Sequence, residues 1–172
     1  MLKLMGAVLV FGSCAALGLS ARQELRRRVT ADDSMLLVMS LICSEISCRR
    51  TPLPEIIDIL ADNTDPIIQC IFQRLQRRLK EENGLSLGYL WSATLREQRE
   101  QIGLGRAECG ILCSAANYLG RYDAAEQVAG LEQVSQRLLL ARQSAEQELV
   151  NKGNLYRTCG IAAGLLVILV LV

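Results

Sequence analysis

Apolar positions along the chain fall into two kinds of run. From Leu4 to Ala21 and from Thr158 to Val172 they are continuous and uncharged; between these ends they recur every three or four residues, with charge on the other positions. The continuous runs predict membrane-spanning helices. Leu4 to Ala21 gives about 27 Å of helix against a hydrocarbon core of about 30 Å, and Thr158 to Val172 gives about 22 Å. Leu155 and Tyr156 lengthen the second run, with Tyr156 and Arg157 suited to the headgroup level. Gly6, Gly12, Gly18, Gly160 and Gly164 lie within the runs, where glycine permits close helix packing.

A cleaved signal peptide is the alternative for the first run, with Lys3 as its basic region and Ser20 and Ala21 as a cleavage site. The run is long for that purpose. Arg22, Arg26, Arg27 and Arg28 follow at once, a positive block that resists export and holds its side of the membrane in the cytoplasm. Lys152 and Arg157 precede the second run on the same side. The expected organisation is a first span over 1–21, a cytoplasmic helical domain over 22–157 and a second span over 158–172, with both termini outside.

The periodic middle predicts an all-α domain divided by its prolines and glycines. Met35, Met39, Ile42 and Ile46 form the stripe of a helix over Asp32 to Arg49. That helix either continues from the first span or starts afresh at Thr30 with Asp33. Thr51, Pro52, Leu53, Pro54 and Glu55 then stop it. Proline bars its predecessor from the helical region, so Thr51 is expected to cap a short helix carrying Ile56, Ile57, Ile59 and Leu60, with Pro52 in its first turn. Asp65 and Pro66 repeat the signal for a helix to Glu82, whose seam is Ile68, Phe72, Leu75 and Leu79, ended by Asn83 and Gly84. Ser86 to Gln101 follows, with Leu87, Leu90, Trp91, Thr94 and Leu95 inward and Trp91 as a core anchor. Gly103 and Gly105 mark a loop before a helix over Arg106 to Leu119, and Gly120, Arg121, Tyr122 and Asp123 break the pattern again. Asp123 with Glu126 resembles a capping box for a last helix. Leu131, Val134, Leu138, Ala141, Ala145 and Leu149 carry that helix toward the second span, about 75 Å if unbroken.

Composition narrows the chemistry. Setting aside Lys3, eighteen of the nineteen basic residues lie in the middle region beside its eighteen acidic ones. A general nucleic-acid binder would carry a net basic surface. The cluster Arg74, Arg77, Arg78 and Lys80 is read as a solvated helix face in preference to a site for acidic lipid or an acidic partner. Histidine is absent and the seven cysteines are odd in number. Cys109 and Cys113 share a helix face, and with Cys43 and Cys48 could form a four-thiolate zinc site on paper. The spacing lacks the short pairs typical of zinc ribbons, so small buried hydrophobes are the expected reading. No GxSxG or P-loop run occurs, and no carboxylate pair has an evident pocket pattern. Neither catalysis, a cofactor nor a small-molecule substrate is expected. A strictly heptad scaffold is also disfavoured, because the stripe breaks at every proline and glycine.

Met1 to Gly6, the run Ser44 to Ser47 leading to Thr51 to Glu55, Leu119 and Gly120 with Asp123 and Gln127, and Tyr156 and Arg157 followed by Gly160 and Gly164 occur in the order of one family. By these motifs, spread over nearly the whole chain, it resembles the stage III sporulation protein AB family. The resemblance implies a helical bundle like the cytoplasmic domains of the platform protein of type II secretion and type IV pilus machines. It further implies a place in the membrane around the forespore, in the complex joining mother cell and forespore. The implied cytoplasmic partner is the ATPase encoded alongside, stage III sporulation protein AA, together with other subunits of the complex. Candidate contact residues are Thr51, Pro52, Leu53, Pro54 and Glu55 in one turn, and Leu119, Gly120, Arg121, Asp123 and Gln127 at the other. Both turns are also explained as devices that set helix angles, and a membrane-anchored scaffold without ATPase coupling is the alternative function.

Overall fold

The computed structural model describes the backbone of residues 2–81, 84–120 and 123–171, and the side chains of residue 20 and of residues 23–81, 84–120 and 123–151. Among these residues every regular element is helical: α1 (Leu2–Ser44), α2 (Leu53–Asn63), α3 (Pro66–Glu81), α4 (Leu87–Ile102), α5 (Arg106–Ser114) and α6 (Ala124–Leu171). A π-helical turn, Glu45–Arg49, extends α1, and a 3-10 turn, Ala115–Asn117, follows α5. Contacts divide the chain into two units, one of Arg27–Gln143 and the other of Met1–Arg26 with Ser144–Val172. The second unit contains the helical ends of the chain. Apart from Ser20, the expected spans, Leu4 to Ala21 and Thr158 to Val172, lie outside the residues whose side chains are described. Among the described residues no helix is long and apolar enough to cross a membrane.

The unit Arg27–Gln143 is a helical bundle around one core. Met35, Met39, Ile42 and Ile46 are all buried, as are Ile68, Phe72 and Leu75 of α3 and Leu131, Val134 and Leu138 of α6. Thus the three-four stripes did locate the core. Phe72 and Trp91 meet at its centre with ring centroids 6.1 Å apart. Trp91 also donates Nε1–H to the Leu112 carbonyl at 2.8 Å, which satisfies its one polar atom and ties α4 to α5. Burying side chains of this size contributes about 1.5–3 kcal/mol each. Helix α4 approaches the end of α5 at Gly88, where a Cβ would lie 2.5 Å from the Ala116 carbonyl oxygen. Only glycine permits that backbone contact.

Several boundaries differ from the periodic reading for local reasons. Thr30 and Asp33 start no new helix, because α1 runs through them to Ser44. Thr51 does not cap α2. Pro52 holds the N-cap position without a side-chain hydrogen bond, and the Thr51 hydroxyl donates instead to Glu45 Oε2 at 2.8 Å. The expected helix to Leu119 ends as α-helix at Ser114, since the backbone tightens into the 3-10 turn. Asp65 does cap α3, with Oδ1 accepting from the Ile67 N–H at 3.1 Å. Ser86 caps α4, accepting from the Tyr89 N–H at 3.3 Å. Glu82 and Asn83, the expected end of α3, lie outside the described residues.

The basic face of α3 is occupied within the bundle. Arg74 and Arg78 both hold Glu97 of α4 at 2.9 Å, and Lys80 lies 3.8 Å from Asp58. The two arginines keep the Glu97 carboxyl below its ordinary range, chiefly through the Arg78 hydrogen bond. At the other end, Arg27 donates to the Gln101 carbonyl and Arg28 to Glu108. Two arginines of the block read as a membrane flank therefore bind helix ends of the bundle.

Candidate functional site

The turn after α1 has three unusual features in succession. Glu45–Arg49 winds as a π-helix, a form that places an extra residue in the turn and recurs at functional sites. Arg50 then adopts φ 52°, a left-handed conformation that costs a non-glycine residue. Pro52 starts α2 without a capping side chain. Glu45 fastens the whole turn: Oε1 accepts from Arg49 at 3.1 Å, Oε2 accepts from the Thr51 hydroxyl, and its carbonyl accepts from the Thr51 N–H at 3.2 Å.

Tyr118 fixes the second turn. Its ring occupies the space that a Cβ on Gly130 of α6 would need, so Gly130 is the seat on which the end of the α5 segment rests. Leu119 continues into the core and Gly120 turns the chain at φ 75°. At Gly120 a Cβ would stand 3.8 Å from Leu53 Cδ1, so the two turns are neighbours. The Asp123 carbonyl accepts from the Gln127 N–H at 2.9 Å as α6 begins.

Between the turns lies an open groove of about 630 Å³, large enough to seat a peptide segment. Ile46, Ser47, Arg50, Thr51, Pro52 and Leu53 form one wall; Asp123, Ala124, Ala125, Gln127 and Val128 form the other. Its lining mixes apolar Ile46, Leu53 and Val128 with polar Ser47, Arg50, Thr51, Asp123 and Gln127. Helices α2 and α6 both begin here, and the first N–H groups of a helix have no partner within it. The groove thus lies at two helix starts, with the Asp123 carboxylate and the Arg50 guanidinium both in its lining.

Of the expected contact residues, Thr51, Pro52, Leu53, Asp123 and Gln127 line this groove. Pro54 and Glu55 are exposed in the first turn of α2 but outside the lining, and Leu119 belongs to the core. Gly120 abuts Leu53, and Arg121 lies outside the described residues. Sequence reasoning missed Arg50, Ala124, Ala125 and Val128. It also passed over Ile46 and Ser47 as wall residues, although both stand in the Ser44 to Ser47 run that precedes the turn. Among the described residues no three Cys, Asp or Glu side chains gather as metal ligands would. Of the cysteines read as small buried hydrophobes, Cys109 is buried, Cys43, Cys70 and Cys113 are half-buried, and Cys48 is exposed.

A second cluster, remote in sequence from the groove residues, is built from charge. Glu108 is fully buried and its Oε1 accepts from Arg28 Nε at 3.0 Å. Asp32, one turn along α1 from Arg28, is also fully buried, and neither of its oxygens has a hydrogen-bond partner. Burial first, then the nearby Glu108 charge, pushes the Asp32 carboxyl up to about 7, with Asp33 adding to the rise; Arg28 and Arg142 oppose them. Arg142 is held by Asp33, with Nε donating to Oδ1 at 2.8 Å. The ion pairs Arg28–Glu108 and Arg142–Asp33 join α1 to α5 and α6 in the bundle that carries the groove.

Comparison with known proteins gives two findings. The family model of stage III sporulation protein AB matches residues 3–172. A solved structure titled stage III sporulation protein AB is similar in fold, with a TM-score of 0.65 and 19% identity, covering 72% of this chain and 96% of that one. No curated protein matches the chain.

Proposed function

The chain belongs to the stage III sporulation protein AB family, and on that footing we propose that it is a non-enzymatic platform subunit of a sporulation complex which docks a partner ATPase in the groove between its two turns. The occupant proposed is a segment of stage III sporulation protein AA. Leu4 to Ala21 and Thr158 to Val172 anchor the protein in the membrane around the forespore, and the bundle lies in the mother-cell cytoplasm. Displacement of a docked ATPase then reaches the membrane through α1 and α6, which carry core residues of the bundle and also the apolar ends of the chain.

A single observation carries this reading. Two turns separated by some seventy positions, each among the residues that carry the family resemblance, line one groove. The mixed lining favours a partner segment that presents polar groups together with an apolar side chain.

Ala125 is exposed on the groove wall, so Ala125→Arg fills the opening without touching the core. With purified full chain and purified ATPase, this variant is expected to bind at least about tenfold more weakly, the loss typical of a disrupted interface contact worth 1.4 kcal/mol or more. Gln136→Arg, exposed on α6 outside the groove, serves as the control and should bind normally. Equal binding by wild type and Ala125→Arg would remove the groove from the interface.

A further inference from the structure

Helix α6 carries two stripes. The inward one includes Leu131, Val134 and Leu138, all buried in the core. On the other side Ala129, Gln133, Gln136, Leu140 and Gln143 are exposed and recur at alternating intervals of four and three. That repeat keeps one line of side chains against a partner helix. None of the five is charged, and the spacing continues in the sequence at Gln147 and Val150. A solvated helix face ordinarily carries charge, whereas the centre of a protein interface is depleted of it. Leu140, on the outer stripe, is 63% exposed, and Leu139 beside it is 44% exposed.

The edges of the outer stripe carry opposite charges. Glu132 stands just before Gln133 and Arg137 just after Gln136, one on each side of the line. Both are exposed, and among the described residues neither has an ion-pair partner within the chain. Gln133 Oε1 accepts from the Tyr118 hydroxyl at 3.5 Å, so its amide N–H groups remain as donors.

We propose that the outer stripe pairs with the same stripe of a second copy of this chain, as a short parallel two-helix coiled coil. Glu132 and Arg137 hold the two heptad positions whose side chains cross between the helices and set their orientation. In a parallel pair in register, Glu132 of one copy meets Arg137 of the other, and the two-fold axis makes that contact twice. An antiparallel pair sets each edge against the same edge of its partner and loses both contacts. Two copies anchored in one membrane also need the parallel arrangement; that agreement rests on the anchoring proposed above, whereas the pairing rests on the stripe and its edges. Glu126 falls one heptad before Gln133. There each copy would oppose the same carboxylate, so pairing stops at Ala129 and leaves the groove outside it. Glutamines in the seam fix register at a cost in stability, which suits a contact between copies concentrated on one surface.

The test uses the full chain, labelled on an N-terminal tag with a donor or an acceptor dye and reconstituted in vesicles of phosphatidylcholine and phosphatidylglycerol. Energy transfer is followed as protein density rises, with unlabelled chain as competitor. The wild type should show transfer that the competitor abolishes. Glu132→Arg or Arg137→Glu alone makes both contacts repulsive and should raise the density for half-maximal transfer about tenfold. Combining Glu132→Arg with Arg137→Glu restores opposite charges across the axis and should return the density to within about twofold of wild type. Leu140→Glu sets like charges against each other within the seam and should remove the transfer. The vesicles hold no ATPase, so the result stands apart from the docking reading. Wild type without competable transfer at any density, single reversals that associate like wild type, or a double reversal as weak as the singles would each overturn the proposal.

Discussion

Replacing Arg28 with alanine is expected to destabilise the helical bundle by about 3–5 kcal/mol, the penalty for removing one partner of a buried ion pair. Glu108 is fully buried, and Arg28 Nε donates to its Oε1 at 3.0 Å. Its other oxygen, Oε2, has no hydrogen-bond partner, so the guanidinium compensates most of the cost of placing this carboxylate inside. Asp32 lies within reach of the same cation, and the variant leaves two buried acids with less positive charge beside them. The large loss comes from stranding a charge rather than from the intrinsic strength of the pair. Replacing both partners together, as Arg28→Met with Glu108→Leu, should therefore restore most of the stability. Urea unfolding followed by the fluorescence of Trp91, the one tryptophan in the chain, measures both. A double variant as unstable as Arg28→Ala would contradict this explanation.

Asp32 gives the second large effect, and its sign is set by the direction of its shift. The carboxyl is raised from 3.8 to about 7 in the folded protein. Between these values the folded state holds a proton that the unfolded state has released, so stability is greatest below the lower value and falls as pH rises through about 7. Asp32→Asn carries no titrating group there. It should flatten the decline between pH 4 and 8 and be more stable than wild type at pH 8, by on the order of 3 kcal/mol. Urea unfolding at a series of pH values reads both curves. Parallel curves for wild type and Asp32→Asn would show that Asp32 does not titrate in this range. Burial is the main cause of the rise, with Glu108 and Asp33 adding to it and Arg28 and Arg142 opposing it.

The core was legible because burying one face of a helix requires only a three-four rhythm. Met35, Met39, Ile42 and Ile46 show that rhythm, as do Ile68, Phe72 and Leu75, and all are buried. Helix starts at Asp65 and Ser86 were legible for a related reason: their signals act over two or three residues. Thr51 was misread because its hydroxyl had two local uses. The bond to Glu45 prevailed once a π-helical turn brought that carboxylate within 2.8 Å. The pair Arg28 and Glu108 is separated by 80 positions, and nothing local marks either as buried. Arg28 stands in the positive block beside the first apolar run, and only the fold shows that it also pairs with Glu108. Both turns of the groove were visible as motifs, but their meeting was not, since Gly120 and Leu53 are far apart in the chain and become neighbours only in the fold. Arg50 carried no signal, because a left-handed arginine depends on the turn that holds it.

The most direct test of the docking account is site-specific photo-crosslinking of the full chain in sporulating cells. A photoreactive residue at Ser47 and another at Ala125 probe the two walls of the groove, and one at Gln136 probes exposed α6 outside it. The account predicts an adduct with stage III sporulation protein AA from both wall positions and none from Gln136. Wall positions that give no ATPase adduct while the protein is present and folded, or an equal yield from Gln136, would contradict it.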